Sequence, residues 1–234
     1  MSAYPEVKTV EDFRKQPEDY QNAVKKIVIS HAINELYGAQ VFDEPAIKLA
    51  PTPYAKWLTC RVAMEEYHHH VRFKGLADDI GVAPERMDTR HKKPLSIFEF
   101  QLKSWEEFCV IKLVGDLGEI LQVEDLLHCS YVPLRNVART TMPEEKFHAQ
   151  FGRDFCAELA STPAGKHRVQ DALDRYFPLL PGFFGAANSK NNETYRKFGL
   201  KQRKNEEMRA DYMNRVHDLL DGLGLKTPKV AAAA

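Results

Sequence analysis

The chain writes Glu-Glu-x-x-His twice, in "MEEYHHH" and again in "PEEKFHAQFG" about eighty residues later. Both copies lie inside long stretches with apolar residues at i, i+3, i+4 and i+7, the period of an α-helix. On a helix, residues three apart share a face. Glu66 and His69 therefore point the same way, as do Glu145 and His148. Each of two helices thus offers one carboxylate and one imidazole to a common point. A dinuclear carboxylate centre needs two such pairs, plus one acid from each of two further helices. The motif therefore predicts an all-α fold, most simply a four-helix bundle with additional C-terminal helices.

The periodicity places helices over about residues 17–42, 53–80, 96–130 (with a break near Ser104-Trp105), 133–161 and 166–179. A Pro/Gly/Asn segment, "LLPGFFGAANSKNNE", precedes a last helix that ends at "DGLGL", and "ERMDTRHKK" reads as a loop. Proline at helix starts and glycine past helix ends support these bounds. Pro143 removes a backbone donor and is expected to kink its helix. Residues 1–230 read as one domain with residues 1–16 as an arm. The terminal "AAAA" (231–234) is set aside as an expression remnant.

The missing acids follow from geometry. Residues on two antiparallel helices share a height only when they are equidistant from the turn. Glu35 and Glu66 are 31 residues apart and centre on "LAPTP"; Asp116 and Glu145 are 29 apart and centre on "CSYVP". All four lie about 15 residues, or roughly 22 Å, from their turns. Glu119 passes the same test as Asp116. Glu35 sits in "VISHAINELYGAQVF" and the other two in "VIKLVGDLGEILQV", both largely apolar. A buried carboxylate costs several kcal/mol unless a partner neutralises it, and a metal does so for six ligands at once. Carboxylates and imidazoles suit iron, with manganese as the alternative.

Other residues carry simpler readings. His68, His70, His128 and His217 read as surface or satisfied histidines, and "QLKSWEEF" as a solvated face. The four cysteines, in apolar surroundings without a C-x-x-C pair, read as buried free thiols of a reducing, cytoplasmic setting. Thirty-three basic residues balance 33 acidic ones, so neither nucleic acid nor an anionic membrane is an expected partner. No apolar run is long enough to span a bilayer. Neither a flavin fingerprint nor an iron–sulfur cysteine pattern is visible, so electrons would come from a separate reductase.

Several stretches resemble the catalytic-subunit family of the bacterial multicomponent phenylacetyl-CoA epoxidase, diiron oxygenases of the ferritin-like superfamily. They are "SHAINELYGAQ", "AMEEYHHH", "GDLGEILQVEDLLHCSYVPLRNVARTTMPEEKFHAQFG", "RYFPLLPGFFG" and "EEMRADYMNRVHDLLDGLGLKTP", together covering about residues 30–228. The resemblance implies a ferritin-like bundle holding two irons on Glu35, Glu66, His69, Asp116, Glu145 and His148. It favours Asp116 over Glu119, and gives the four acids a catalytic as well as a ligating role. It implies a monooxygenase component that epoxidises an aromatic or unsaturated acyl-CoA thioester with dioxygen and externally supplied electrons. Its partners would be a ferritin-like sister subunit and a small bridging subunit, with a homodimer as the simpler assembly. Lys197 and Lys201 are the expected CoA-binding pair, from a segment that also holds Lys190, Arg196, Arg203 and Lys204. "SIFEFQLKSWEEFCVIKL", with Ile97, Phe98, Phe100, Trp105 and Phe108, is a candidate subunit contact; the alternative is a core-facing stripe. A ferritin-like iron oxidase or a non-catalytic scaffold are the other functional readings. A radical-generating relative usually has tyrosine four residues after the first motif's histidine, where this chain has Phe73.

Overall fold

Proline and hydroxyl caps set the main helix starts. Thr52 accepts a hydrogen bond from the Ala55 amide ahead of Pro53, and Thr162 does the same for Gly165 ahead of Pro163. In the computed structural model, which describes residues 4–89 and 95–230, the elements are helical and no strand occurs among the described residues. They are α1 (Val10–Arg14), α2 (Glu18–Gly38), α3 (Glu44–Leu49), α4 (Pro53–Asp79), α5 (Trp105–Val110), α6 (Asp116–Leu126), α7 (Val132–Ala160), α8 (Pro163–Tyr176), α9 (Lys190–Lys197) and α10 (Asn205–Gly222). The hairpins α2/α4 and α5–α6/α7 form the bundle, as the all-α, ferritin-like reading expects. No helix is long and apolar enough to cross a membrane among the described residues.

Two π-helical segments interrupt this pattern. Ala39–Asp43 joins α2 to α3, and Ile111–Gly115 joins α5 to α6. Such segments are rare and concentrate at functional sites. The first helix therefore does not stop near 42 but continues through its π segment to Leu49; the third begins at Trp105, at the expected break, with Ser96–Glu99 a separate 3-10 turn. Each π segment carries one charged residue inward, Asp43 and Lys112, and these two meet at 3.0 Å. The second segment packs on α7 at Gly152. A Cβ there would lie 2.3 Å from the Leu113 nitrogen and 2.5 Å from the Lys112 carbonyl carbon.

The apolar interior divides into two clusters, and all four bundle helices cross from one to the other. On α2 and its extension the change falls between Ile33 and Phe42; on α4, between Val62 and Phe73. On the third helix Val114 belongs to one cluster and Ile120 to the other, and on α7 so do Met142 and Phe151. Glu35, Glu66, His69, Asp116, Glu145 and His148 occupy the gaps, forming a polar layer between two apolar ones.

Several expectations are corrected. Of the two readings of "SIFEFQLKSWEEFCVIKL", the core-facing stripe holds and the subunit contact does not: Ile97, Trp105 and Phe108 are buried, and Phe98 and Phe100 pack against the same core. "QLKSWEEF" is not a solvated face: buried Glu107 accepts hydrogen bonds from Arg175 and Tyr176. Cys60 is exposed, unlike Cys109, Cys129 and Cys156. Helix α9 has no counterpart among the expected helices. The N-terminal arm contains a short helix, and Val7 pairs through its backbone with Ser130 and Val132. α7 runs unbroken through Pro143. Part of the "ERMDTRHKK" loop (90–93) and residues 231–234 lie outside the described residues.

Gly152→Ala is expected to force the π segment off α7 and to destabilise the fold by about 1–3 kcal/mol, as overpacking does. Denaturant midpoints of the two proteins check this.

Candidate metal centre

Two groups of ligand atoms converge in the polar layer. Glu35, Glu66, His69 and Glu145 supply one group, and Glu66, Asp116, Glu145 and His148 the other; within each group the atoms lie inside 4.8 Å of one another. All six residues are buried. His69 Nδ1 lies 3.0 Å from Glu145 Oε1 and 3.5 Å from Glu66 Oε2, and His148 Nδ1 lies 3.1 Å from Glu66 Oε1. Glu35 Oε1, His69 Nδ1, Asp116 Oδ2, Glu145 Oε1 and His148 Nδ1 are inaccessible to solvent, and none makes a hydrogen bond. Buried polar atoms are nearly always bonded. Five that converge without bonding one another fit the donor set of a metal centre.

The first glutamate of each motif has its own task. Glu144 of the second motif bonds His69 Nε2 of the first at 2.9 Å, and Glu65 of the first bonds His148 Nε2 of the second at 2.9 Å. Each carboxylate is held by an arginine of the first motif's helix. Arg72 grips Glu144 with both terminal nitrogens, and Arg61 Nε donates to Glu65 at 2.9 Å. These bonds fix a proton on each Nε2 and turn each Nδ1 lone pair inward, as carboxylate partners of metal-binding histidines do. The sequence expectation passed over both residues, although the doubled glutamate was the available signal.

Burial and crowding set the charges. Burial raises Glu145 to about 7 and Asp43 to about 6. Asp116 is pushed well above the usual carboxylate range by burial, against the pull of Lys112. Glu66 falls below its ordinary value, because Lys112 and His148 outweigh its burial. Burial also opposes charge on His148, but Glu65 and Glu66 lift it to about 10; His69 is raised further, chiefly through Glu145 and Glu35. In a metal-free chain these neighbours favour protons on both histidines, which a bound metal would displace.

Asp116 and Glu119 separate. Asp116 faces the second group, whereas Glu119 is partly exposed and lies 3.3 Å from His31, whose ring stacks on Phe73. His31, with Glu35 and Glu119, borders the same layer and was not foreseen. Lys112 was missed too. It is buried, with Nζ 2.6 Å from Glu66, 3.2 Å from Asp116 and 3.0 Å from Asp43. A lysine four residues before Asp116 in an apolar run was the same signal that exposed the acids. Glu35, Glu66, Asp116 and Glu145 together match the charge of two divalent ions, while Lys112 and Asp43 cancel.

A cavity of about 190 Å³ opens beside the layer. Ile27, Phe42, Ile97, Phe98, Ile111, Leu180 and Phe183 line it, with Lys201 and Gln122 on one side; Lys26 and Ser30, both exposed, mark its mouth. Lys201 donates to Gln122 at 2.6 Å, and burial lowers its proton affinity. Lys197 is exposed on α9 and does not line the cavity, so the structure separates this expected pair. Arg203 is committed to Asp125 and Asp211. Among the histidines read as surface or satisfied, His68, His128 and His217 are at the surface, and His70 bonds the Ala32 carbonyl.

A profile of the family described as "Phenylacetic acid catabolic protein" matches residues 1–234. One subunit of the 1,2-phenylacetyl-CoA epoxidase of Escherichia coli (strain K12) is 26% identical over 219 residues, which cover 91% of this chain and 71% of that protein.

Glu65→Gln and Glu144→Gln are each expected to weaken metal retention about 10- to 100-fold, read by metal analysis after dialysis against graded chelator. The metal-free chain should lose stability as pH rises from about 5 to 8. Glu145 and Asp43, raised to about 7 and 6, bind protons more tightly folded than unfolded, so folding is favoured below those values and penalised above them. The raised histidines act with the same sign above their unfolded value of 6.5. Melting temperatures of chelated protein across that range check the slope.

Proposed function

The chain belongs to the phenylacetic acid catabolic protein family, and from that membership we propose that it is the oxygenase component of a diiron monooxygenase acting on an acyl-CoA thioester. In this reading Glu35, Glu66, His69, Asp116, Glu145 and His148 would hold two irons. The bound irons supply the reduction of dioxygen, so that an alkene or arene bond, dioxygen, two electrons and two protons become an epoxide and water. The observation that carries the reading is the set of five buried, unbonded donor atoms in the polar layer. A ferritin-like domain over residues 1–230 is the frame that holds them.

The chain's own residues set what reacts. A cavity of roughly 150 Å³ is enough to admit benzene, so a cavity of about 190 Å³ takes one aromatic ring or an unsaturated acyl group of similar size. It is too small for coenzyme A, which would lie outside the mouth at Lys26. There Lys190, Arg196 and Lys197 of α9 present exposed cations to its phosphates, and Lys201 stands inside beside Gln122 to bond the thioester arm. Phe42, Ile97, Phe98 and Phe183 would exclude water from the reacting bond. Phe73 offers no phenol at the position where a radical-generating relative carries tyrosine.

Electrons would come from a separate reductase, since no flavin or iron–sulfur motif is present. A ferritin-like sister subunit would dock on α4, whose Tyr54, Trp57, Met64 and Val71 are large, apolar and exposed. A metal-free scaffold protein would not need six buried ligands and two Arg–Glu–His chains.

Purified chain reconstituted with ferrous iron should hold about two irons, and Glu66→Ala with Glu145→Ala should hold none, read by metal analysis. With reductant and dioxygen, loaded protein presented with a panel of CoA thioesters should add one oxygen atom to aryl or unsaturated acyl groups of one-ring size, read by product mass. Full loading of the double variant would sink the ligand assignment.

A further inference from the structure

Lys112 bears unequally on the two ligand groups. Its Nζ lies 2.6 Å from Glu66 Oε1 and 3.2 Å from Asp116 Oδ2, two of the four residues that converge with His148 and Glu145. In the group containing Glu35 and His69 it touches only Glu66, and its hydrogen bond goes to Oε1, the oxygen that faces His148, while Oε2 faces His69. The ammonium is buried, so water does little to screen it. Its third neighbour, Asp43 at 3.0 Å, belongs to neither group.

We propose that Lys112 makes the two metal positions unequal. The ion on Glu35, Glu66, His69 and Glu145 binds first and tightly. The ion on Glu66, Asp116, Glu145 and His148 binds second and weakly, because it must take Glu66 and Asp116 from the lysine. Asp43 is where the displaced ammonium stays paired. The charge balance requires this: four ligating acids match two divalent ions only while Asp43 cancels Lys112. Both residues sit on π-helical segments, which turn them inward at this height. The inference rests on the two-metal reading given above.

The test is a titration of the metal-free, full-length chain with Mn²⁺ at fixed pH 7.5, followed by calorimetry and electron paramagnetic resonance. Wild type should bind in two steps separated by at least about tenfold, within the range that neighbours of a metal site command. The isolated-ion spectrum should appear at one equivalent and give way to a spin-coupled pair at two. Lys112→Met should merge the steps, so that coupled signal appears from the first addition. Asp43→Asn should act oppositely and widen the gap, since it leaves the ammonium no other partner. If Lys112→Met does not fold, by circular dichroism, Asp43→Asn decides alone: a wider gap supports the inference and an unchanged gap overturns it. Two equal steps in wild type, or a gap that Lys112→Met leaves intact, overturns the inference while two-metal binding stands. A wild-type chain that binds no ion fails both.

Discussion

Ionisable side chains in the middle of a helical bundle are tolerable only if they neutralise one another or share a cation. Here four acids and two imidazoles form a layer between two apolar clusters. Burial drives Asp116 and Glu145 toward their neutral forms, and the neighbouring acids drive His69 and His148 toward their charged forms. The remaining features serve this layer. The helices must be long enough to carry ligands some fifteen residues from their turns, and the caps at Thr52 and Thr162 define where the helices α4 and α8 begin.

The repeated motif is best understood through its crossed bonds. Had each Glu-Glu-x-x-His served itself, each helix could have formed its part of the site alone. Instead Glu65 orients the histidine of α7 and Glu144 orients the histidine of α4. The tautomer of either imidazole is therefore correct only when both hairpins are docked. Site geometry and tertiary structure become one condition, with Arg61 and Arg72 holding the carboxylates from the rim.

The helical architecture and the layer were legible because both rest on periodicity. Spacing within a helix and symmetry about a turn brought Glu35, Glu66, Asp116 and Glu145 to one height, though spacing could not separate Asp116 from Glu119. The π segments were not legible. One inserted residue leaves no composition signal, and the helix runs on past residue 42 because Pro45 falls in the first turn of α3, where its missing amide costs nothing. Helix α9 is short and polar, so it has little apolar pattern to read. Lys112 lies in the same apolar run as Asp116, but a lysine there ordinarily carries its ammonium out to water on its long stem. Trp105 and Phe108 lie in a run whose charged neighbours suggested solvent, yet Glu107 turns inward to Arg175 and Tyr176.

The layering also bears on how the chain opens. Helices ordinarily fray from their ends, where backbone groups lack partners and packing is thin. In this bundle both ends of α4 and α7 are anchored in apolar clusters, and their mid-length carries the buried ionisable layer instead of apolar contacts. In the metal-free chain, the slowest amide exchange therefore belongs to two separated zones, with a faster band between them. A bound metal would join these zones into one cooperative unit, so the same atoms that do chemistry would also determine whether the protein unfolds as one body or as two.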